Sequence, residues 1–229
     1  MKNLDQFINQ HILESLKGYK PGTLKPKEQL SGDCKLHFAD QKVDVDEIEN
    51  LDTSKVTNMD SMFCDTIFNS NSDSLDLSSW DVSNVEDMSY MFQCCSIKYL
   101  DLSNWNTQSL TTMYGIFYYC KNLEYLNLSN WDTSNIKSAR RMFNGCTSLT
   151  NIIFGPDWFK SENMTELYLM SCYSLSEETY ESMLTMYDRK KAGLKPCEIT
   201  LPRSGNYYNM PDGWVEKMKE RGYSVDMYI

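Results

Sequence analysis

Histidine is nearly absent from this chain, and its scarcity limits the catalysis that the protein can carry. Only His11 and His37 occur among 229 residues. No serine sits in a Gly-x-Ser-x-Gly turn, and no glycine-rich phosphate-binding loop is present. Because nucleophilic catalysis needs a nucleophile beside a positioned base, the sequence predicts that the protein is not an enzyme.

A long apolar run is also missing. No stretch approaches the roughly 18 apolar residues that a membrane-spanning helix requires. The first ten residues contain neither an uninterrupted apolar segment nor a small-residue cleavage site, and no early cysteine is available to carry a lipid. We therefore expect no membrane span, no secretory signal and no anchor. The predicted location is cytoplasmic or virion-associated, unless another route displays the protein at a surface.

Positive charge is scarce as well. The chain has 22 Lys and Arg against 32 Asp and Glu, a net charge of −10. Its longest basic run, Arg189-Lys190-Lys191, falls at a predicted helix end, where cations favour the negative end of the helix dipole. Because phosphate binding needs clustered Lys and Arg, the sequence predicts no nucleic-acid partner.

Eight cysteines occur, but no Cys-x-x-Cys pair that would indicate a metal site. Without a secretory signal, reduced thiols are the expected state. Cys95, Cys120, Cys146 and Cys172 recur at a regular spacing, and four ligands in a line cannot surround a tetrahedral ion. We predict buried structural thiols, no metal and no cofactor, with Cys94 exposed and open to oxidation.

What the chain does contain is a repeat of 25 or 26 residues. A period of this size predicts a solenoid, in which each unit buries its apolar face against its neighbours. Three successive copies share a leucine-rich segment, a tryptophan and a later aromatic and cysteine. The copies begin Leu75-Asp76-Leu77-Ser78-Ser79-Trp80, Leu100-Asp101-Leu102-Ser103-Asn104-Trp105 and Leu126-Asn127-Leu128-Ser129-Asn130-Trp131.

Each unit is expected to run from a short strand through a polar turn into a short helix. The Leu-x-Leu alternation predicts the strand, and Met88, Met91 and Phe92 have helical spacing. The predicted fold is therefore α/β: a right-handed leucine-rich-repeat solenoid of about five repeats. It would have a narrow parallel sheet on one face, with helical N-terminal and α/β C-terminal caps.

Three regions are predicted. Residues 1–45 would hold an N-terminal helix over 3–16, a linker and a cap, and residues 46–175 the repeats. Residues 176–229 would form a C-terminal cap of helix, strand, helix and strand, with its first helix closed by Gly193. The five repeats are placed at 46–74, 75–99, 100–125, 126–151 and 152–175.

The repeats resemble a known family. Leu-x-x-Leu-x-Leu with Trp80, Trp105 and Trp131, followed by Met-Phe-x-x-Cys, resembles the BspA-type surface leucine-rich repeats over about residues 46–175. Such repeats occur in bacterial surface proteins and in phages of gut bacteria. The resemblance implies adhesion, that is, binding to other proteins or to cell surfaces.

The candidate binding residues lie on the outward side of the predicted sheet. Two interpretations stay open: a solvated acidic face, or a tyrosine-edged surface that meets a basic or polar partner. The residues assigned to this surface are Asp76, Tyr99, Asp101, Ser103, Tyr125, Asn127 and Ser129. A second candidate patch, on the predicted helical side, consists of Tyr90, Tyr114, Tyr118 and Tyr119.

These observations favour a non-catalytic module that binds a protein or cell-surface macromolecule through the sheet face. The alternatives are a structural component of a phage virion or surface assembly, and an intracellular phage effector that occupies a host protein. The sequence leaves the oligomeric state open.

Overall fold

The structure, a computed structural model, describes residues 29–68, 73–202 and 207–227, without the side chain of Tyr208. The helix predicted over 3–16 lies outside the described residues, as does His11. No helix of the described part combines the length and apolar character needed to cross a membrane. The predicted region boundaries at 45 and 175 remain predictions.

Short strands and a few short helices make up the regular structure of the described residues. The strands are β1 Gln29–Asp33, β2 Lys42–Val43, β3 Asp52–Asn58, β4 Ile67–Phe68, β5 Tyr99–Asp101, β6 Tyr125–Asn127, β7 Asn151–Ile153, β8 Glu166–Tyr168, β9 Cys197–Leu201 and β10 Tyr223–Met227. The α-helices are α1 Val45–Glu49, α2 Glu177–Met183 and α3 Trp214–Glu220, and a 3₁₀-helix spans Tyr207–Asn209.

The predicted leucine-rich-repeat solenoid with one narrow sheet is wrong. The strands form four separate parallel sheets, ordered β1-β3, β2-β4, β5-β6-β7 and β10-β9-β8. In the repeat that starts at Leu75, the strand is reduced to a single bridge between Ser74 and Tyr99. The β5-β6-β7 sheet ends at β7, where the Ile152 N–H donates to the Thr179 hydroxyl of the following helix, and β8 pairs with β9 instead.

The predicted helices behind each tryptophan are wrong too, because left-handed residues interrupt those segments. In one repeat Tyr90 and Cys94 have φ of 55° and 56°, and in the next Gly115 and Tyr119 have φ of 59° and 58°. A right-handed helix cannot continue through such residues. The segments instead form consecutive turns, in which alternate N–H groups donate to the next repeat. An example is the bond from the Tyr90 N–H to the Tyr114 carbonyl, 2.9 Å long.

Buried aromatic side chains hold neighbouring repeats together. Trp105, Trp131 and Trp158 stack with centroids 6.1 and 6.0 Å apart. Each indole N–H also donates to a carbonyl of the preceding repeat, as Trp131 does to Leu102 at 2.9 Å. A second column of rings stacks at 5.4 to 6.0 Å through the turn segments: Phe38, Phe63, Phe92, Phe117 and Phe143.

The tryptophan and methionine positions of the repeats lie in the core. Trp105, Trp131, Met88 and Met91 are at most 2% exposed. Burying one large apolar side chain contributes roughly 1.5–3 kcal/mol, so the repeated positions supply much of the stabilisation.

The repeats give way to a different arrangement after Leu175. Helix α2 begins where the Ser176 hydroxyl accepts a hydrogen bond from the Thr179 N–H, an N-cap. It ends at Met183 rather than at the predicted Gly193. Strands β9 and β10 then pair beside β8, so that the end of the repeat region is covered by chain from 176 onward.

Candidate functional site

The three-stranded sheet β5-β6-β7 brings several of the predicted binding residues together. Tyr99 lies directly beside Tyr125, and Asp101 lies beside Asn127. Between these positions Leu100 and its partners are buried, which directs the flanking side chains outward. Both tyrosines are half-buried. Because adjacent strands are about 4.8 Å apart, the two phenol side chains are neighbours at the start of β5 and β6.

Most of the polar residues on this face also hold the backbone. The Ser103 N–H donates to Asp101 Oδ1 at 2.9 Å, and the Ser129 N–H donates to Asn127 Oδ1 at 3.1 Å. The same turn joins the Ser78 N–H to Asp76 Oδ1. Asp and Asn are therefore placed at these positions for turn geometry as well as for exposure.

Across the strands, side-chain hydrogen bonds set the electrostatics of the face. Asn127 donates through Nδ2 to Asp101 Oδ2 at 3.2 Å, which satisfies the second carboxylate oxygen. The Tyr99 hydroxyl donates to Glu124 Oε2 at 3.0 Å. Burial, and next this hydrogen bond, raise the pKa of Tyr99 above its usual value, so the phenol remains a neutral donor.

Asp76 belongs to a different environment from the other predicted residues. Its N–H donates to Glu49 Oε1 at 2.9 Å, at the end of α1. Burial, followed by the negative charges of Asp76 and Asp46, raises the pKa of Glu49, whereas its bond from the Asp76 N–H opposes the rise. The sequence also predicts Asp76 beside Asp101 on adjacent strands. The bridge between Ser74 and Tyr99 has the register of that pairing, but Asp76 lies just past the bridge and outside the strands.

The tyrosine surface, formed by Tyr90, Tyr114, Tyr118 and Tyr119, is a continuous cluster of rings. The centroid of Tyr90 lies 5.3 Å from that of Tyr114 and 6.1 Å from that of Tyr118. Tyr118 and Tyr119 are 4.7 Å apart. The cluster lies on the turn segments, not on helices as predicted.

Cationic groups border the tyrosine surface. The guanidinium of Arg141 lies 5.9 Å from the ring centroid of Tyr114, and Lys121 Nζ lies 5.6 Å from that of Tyr119. Tyr114 also lines a pocket of about 360 Å³, which we call the basic pocket. Its other charged lining residues are Lys137, Arg140 and Glu166.

The repeated cysteines are buried thiols, as predicted, and Cys94 is exposed. The thiols of Cys95, Cys120 and Cys146 each donate to a phenylalanine carbonyl of the preceding repeat, at 2.8 to 3.0 Å. Burial raises the pKa of Cys146 to about 12, and raises those of Cys95 and Cys120 well above 9.0. Among the described residues, no three His, Cys, Asp or Glu side chains come together to hold a metal ion.

We expect alkylation to distinguish these thiols. Iodoacetamide at pH 8 should modify Cys94 first, because its thiol is exposed. Cys64 is only half-buried, but burial raises its pKa to about 12, and the other six thiols are buried. Peptide mass spectrometry over time gives the order, and a Cys94→Ser variant should lose most of the early label. Equal rates at Cys94 and Cys120 would show that the repeats open readily.

Several functional or structural residues were not found from the sequence. Trp158 continues the tryptophan column but lies 27 residues after Trp131, shifted by Gly155-Pro156, and allowing a one-residue insertion would have found it. Phe38 begins the phenylalanine column before the first predicted repeat. The contact of Arg141 with Tyr114 gave no sequence signal, because Arg141 comes from the following repeat, whereas Lys121 follows Tyr119 by two residues.

The model of one family, described as "Mycoplasma protein of unknown function, DUF285", matches residues 64–179. This match replaces the identification with BspA-type leucine-rich repeats, which is wrong. No curated protein matches, and no solved structure matches.

Proposed function

We propose a binding function for this chain, which belongs to the family of Mycoplasma proteins of unknown function called DUF285. In this proposal the chain is a non-catalytic module that binds a macromolecular partner, either a protein or a cell surface, through the face of the β5-β6-β7 sheet. The observation that carries this proposal is the contrast between the inside and the outside of equivalent positions. Leu100, Leu126 and Ile152 are all buried aliphatic residues at one register position. The interior is therefore nearly constant.

The outward positions change from strand to strand. Tyr99 and Tyr125 give way to Asn151, and Asp101 gives way first to Asn127 and then to Ile153. A constant framework with varied exposed residues is how repeat proteins present binding surfaces. Tyrosine in particular contributes large contact area to interfaces at low entropic cost.

Substitutions on the sheet face should weaken partner capture without unfolding the protein. The double variant Asp101→Asn with Tyr125→Ala removes a charge and a phenol, whereas Asn can still accept the Ser103 N–H. We expect at least about a tenfold loss of the partner that the wild type captures from cells, since interface hot spots contribute 2 kcal/mol or more. Affinity purification with quantitative mass spectrometry measures the loss.

A matched control is available in the same chain. Asp81 is exposed and accepts the Ser83 N–H at 3.0 Å in the same kind of turn, outside the sheet. Asp81→Asn should leave both capture and thermal stability unchanged. Equal capture by the wild type and the sheet-face variant, with both folded, would contradict the proposed surface.

A further inference from the structure

The positive charge of the repeat region is concentrated at one place. Seven Lys or Arg residues occur between 46 and 175, and four of them border the tyrosine surface or line the basic pocket. These four are Lys121, Lys137, Arg140 and Arg141. In a chain of net charge −10, such a concentration is a local reversal of sign.

Three of these four charges are uncompensated. Within the described part of the chain, Lys121, Lys137 and Arg141 have no carboxylate oxygen within 4.0 Å. Arg140 pairs with Glu166 through Nε at 2.5 Å, but its side chain is 67% exposed. The Glu166 side chain is only 18% exposed, whereas the Arg140 side chain lies largely in solvent, where a guanidinium with five N–H donors can bind a second carboxylate.

The tyrosine rings beside these charges are held against the backbone by glycines. A Cβ atom at Gly115 would lie 2.7 Å from Cε1 of Tyr90, and one at Gly145 would lie 2.9 Å from Cδ2 of Tyr119. Both glycines also have positive φ, of 59° and 82°. The backbone therefore leaves room for flat rings, and Tyr119 still exposes 43% of its surface.

We propose that the tyrosine surface and the basic pocket together bind an acidic peptide segment of a partner protein. Carboxylates of the segment pair with Lys137, Arg140 and Arg141, and an aliphatic side chain packs on Tyr114 and Tyr119. Arginine forks suit carboxylates because they can donate two parallel hydrogen bonds. This site is separate from the sheet face and does not depend on the function proposed for that face.

A peptide suits the surroundings better than a continuous polyanion does. Glu166 lines the basic pocket, and the rest of the repeat region is strongly acidic. A sulfated polysaccharide or nucleic acid would extend its dense charge over those acidic residues and be repelled. A short segment whose carboxylates alternate with apolar residues reaches the cations without that repulsion.

The probe is a dye-labelled ten-residue peptide of alternating glutamate and leucine, with a glutamine–leucine peptide as its control. Fluorescence anisotropy should show saturable binding of the glutamate peptide to the full chain, weakened by added salt. Lys137→Glu and Arg141→Glu should each reduce the affinity at least about tenfold. Lys55→Glu, an equal charge change at an exposed lysine bonded to Gln29, should change it less than about twofold.

The absence of saturable binding, equal binding of the glutamine peptide, or an equal effect of Lys55→Glu would each overturn the proposal. Heparin binding that depends on Arg141, without peptide binding, would assign the site to a sulfated polysaccharide instead. Light scattering shows whether the surface joins copies of the chain, which would also refute an external partner. The variant Asp101→Asn with Tyr125→Ala should bind the peptide normally, so the two proposals fail independently.

Discussion

Replacing Trp131 with alanine should lower the free energy of unfolding by about 3–5 kcal/mol. This side chain has no exposed surface and lies between Trp105 and Trp158. The substitution opens a cavity, removes both stacking contacts and deletes the indole bond to the Leu102 carbonyl. Because each repeat is stabilised mainly by its neighbours, a gap at this position separates the repeats on either side.

Urea unfolding followed by far-ultraviolet circular dichroism measures the effect. Trp131→Phe keeps an aromatic ring in the column and should cost clearly less, because the cavity is smaller. Tyr173→Ala, at a side chain that is 42% exposed, should cost no more than about 1 kcal/mol. A Trp131→Ala variant as stable as Tyr173→Ala would mean that the tryptophan column does not hold the repeats together.

Replacing Gly155 with alanine should also lower the free energy of unfolding, because it adds an atom where no space exists, whereas Trp131→Ala leaves a cavity. A Cβ atom there would lie 1.6 Å from the carbonyl oxygen of Ser129 and 2.6 Å from its carbonyl carbon. Both atoms belong to the backbone of the preceding repeat and cannot rotate away. We expect a loss of about 3 kcal/mol or more, at or above the upper end for overpacked sites, because two backbone segments must separate.

The control separates steric overlap from backbone strain. Gly193 has φ of 70° and nothing within 4 Å of its Cβ position. Gly193→Ala should therefore lower the free energy of unfolding only by the cost of a left-handed alanine, about 1–2 kcal/mol. Thermal melts of the two variants beside the wild type rank the costs. If Gly155→Ala melted at the same temperature as Gly193→Ala, the close approach of the two repeats would be contradicted.

The sequence predicted the buried positions well, because apolar residues recur at a fixed spacing. Leu126, Trp131 and Cys146 are all buried, as their recurrence indicated. The local conformation of the turn segments was not predictable. Left-handed residues include Tyr90 and Arg141, which have no preference for that region, and only Gly115 among their counterparts gives a hint.

The candidate site was only partly predictable. Register alone places Tyr99 beside Tyr125 and Asp101 beside Asn127, and the repeat length supplies that register. The second role of Asp101 was hidden, since an aspartate exposed for binding and one that accepts a turn N–H look the same in sequence. The neighbourhood of Arg141 and Tyr114 was also hidden, because it depends on side-chain direction across 27 residues.

The turn segments have a polarity that bears on how such chains can change length. Their alternate N–H groups donate forward to the next repeat: Leu36 to Asp60, Ser61 to Ser89, Tyr90 to Tyr114 and Gly115 to Arg140. If one whole repeat were inserted or deleted, the N–H groups of the repeat before it would again face the carbonyl groups of the repeat after it. The two ends are not interchangeable, since one row would present acceptors and the other donors. In the neighbouring row, Tyr119 donates to the Asn144 carbonyl, and the equivalent Gly145 N–H of the next repeat donates to the Ser171 hydroxyl instead of to a carbonyl.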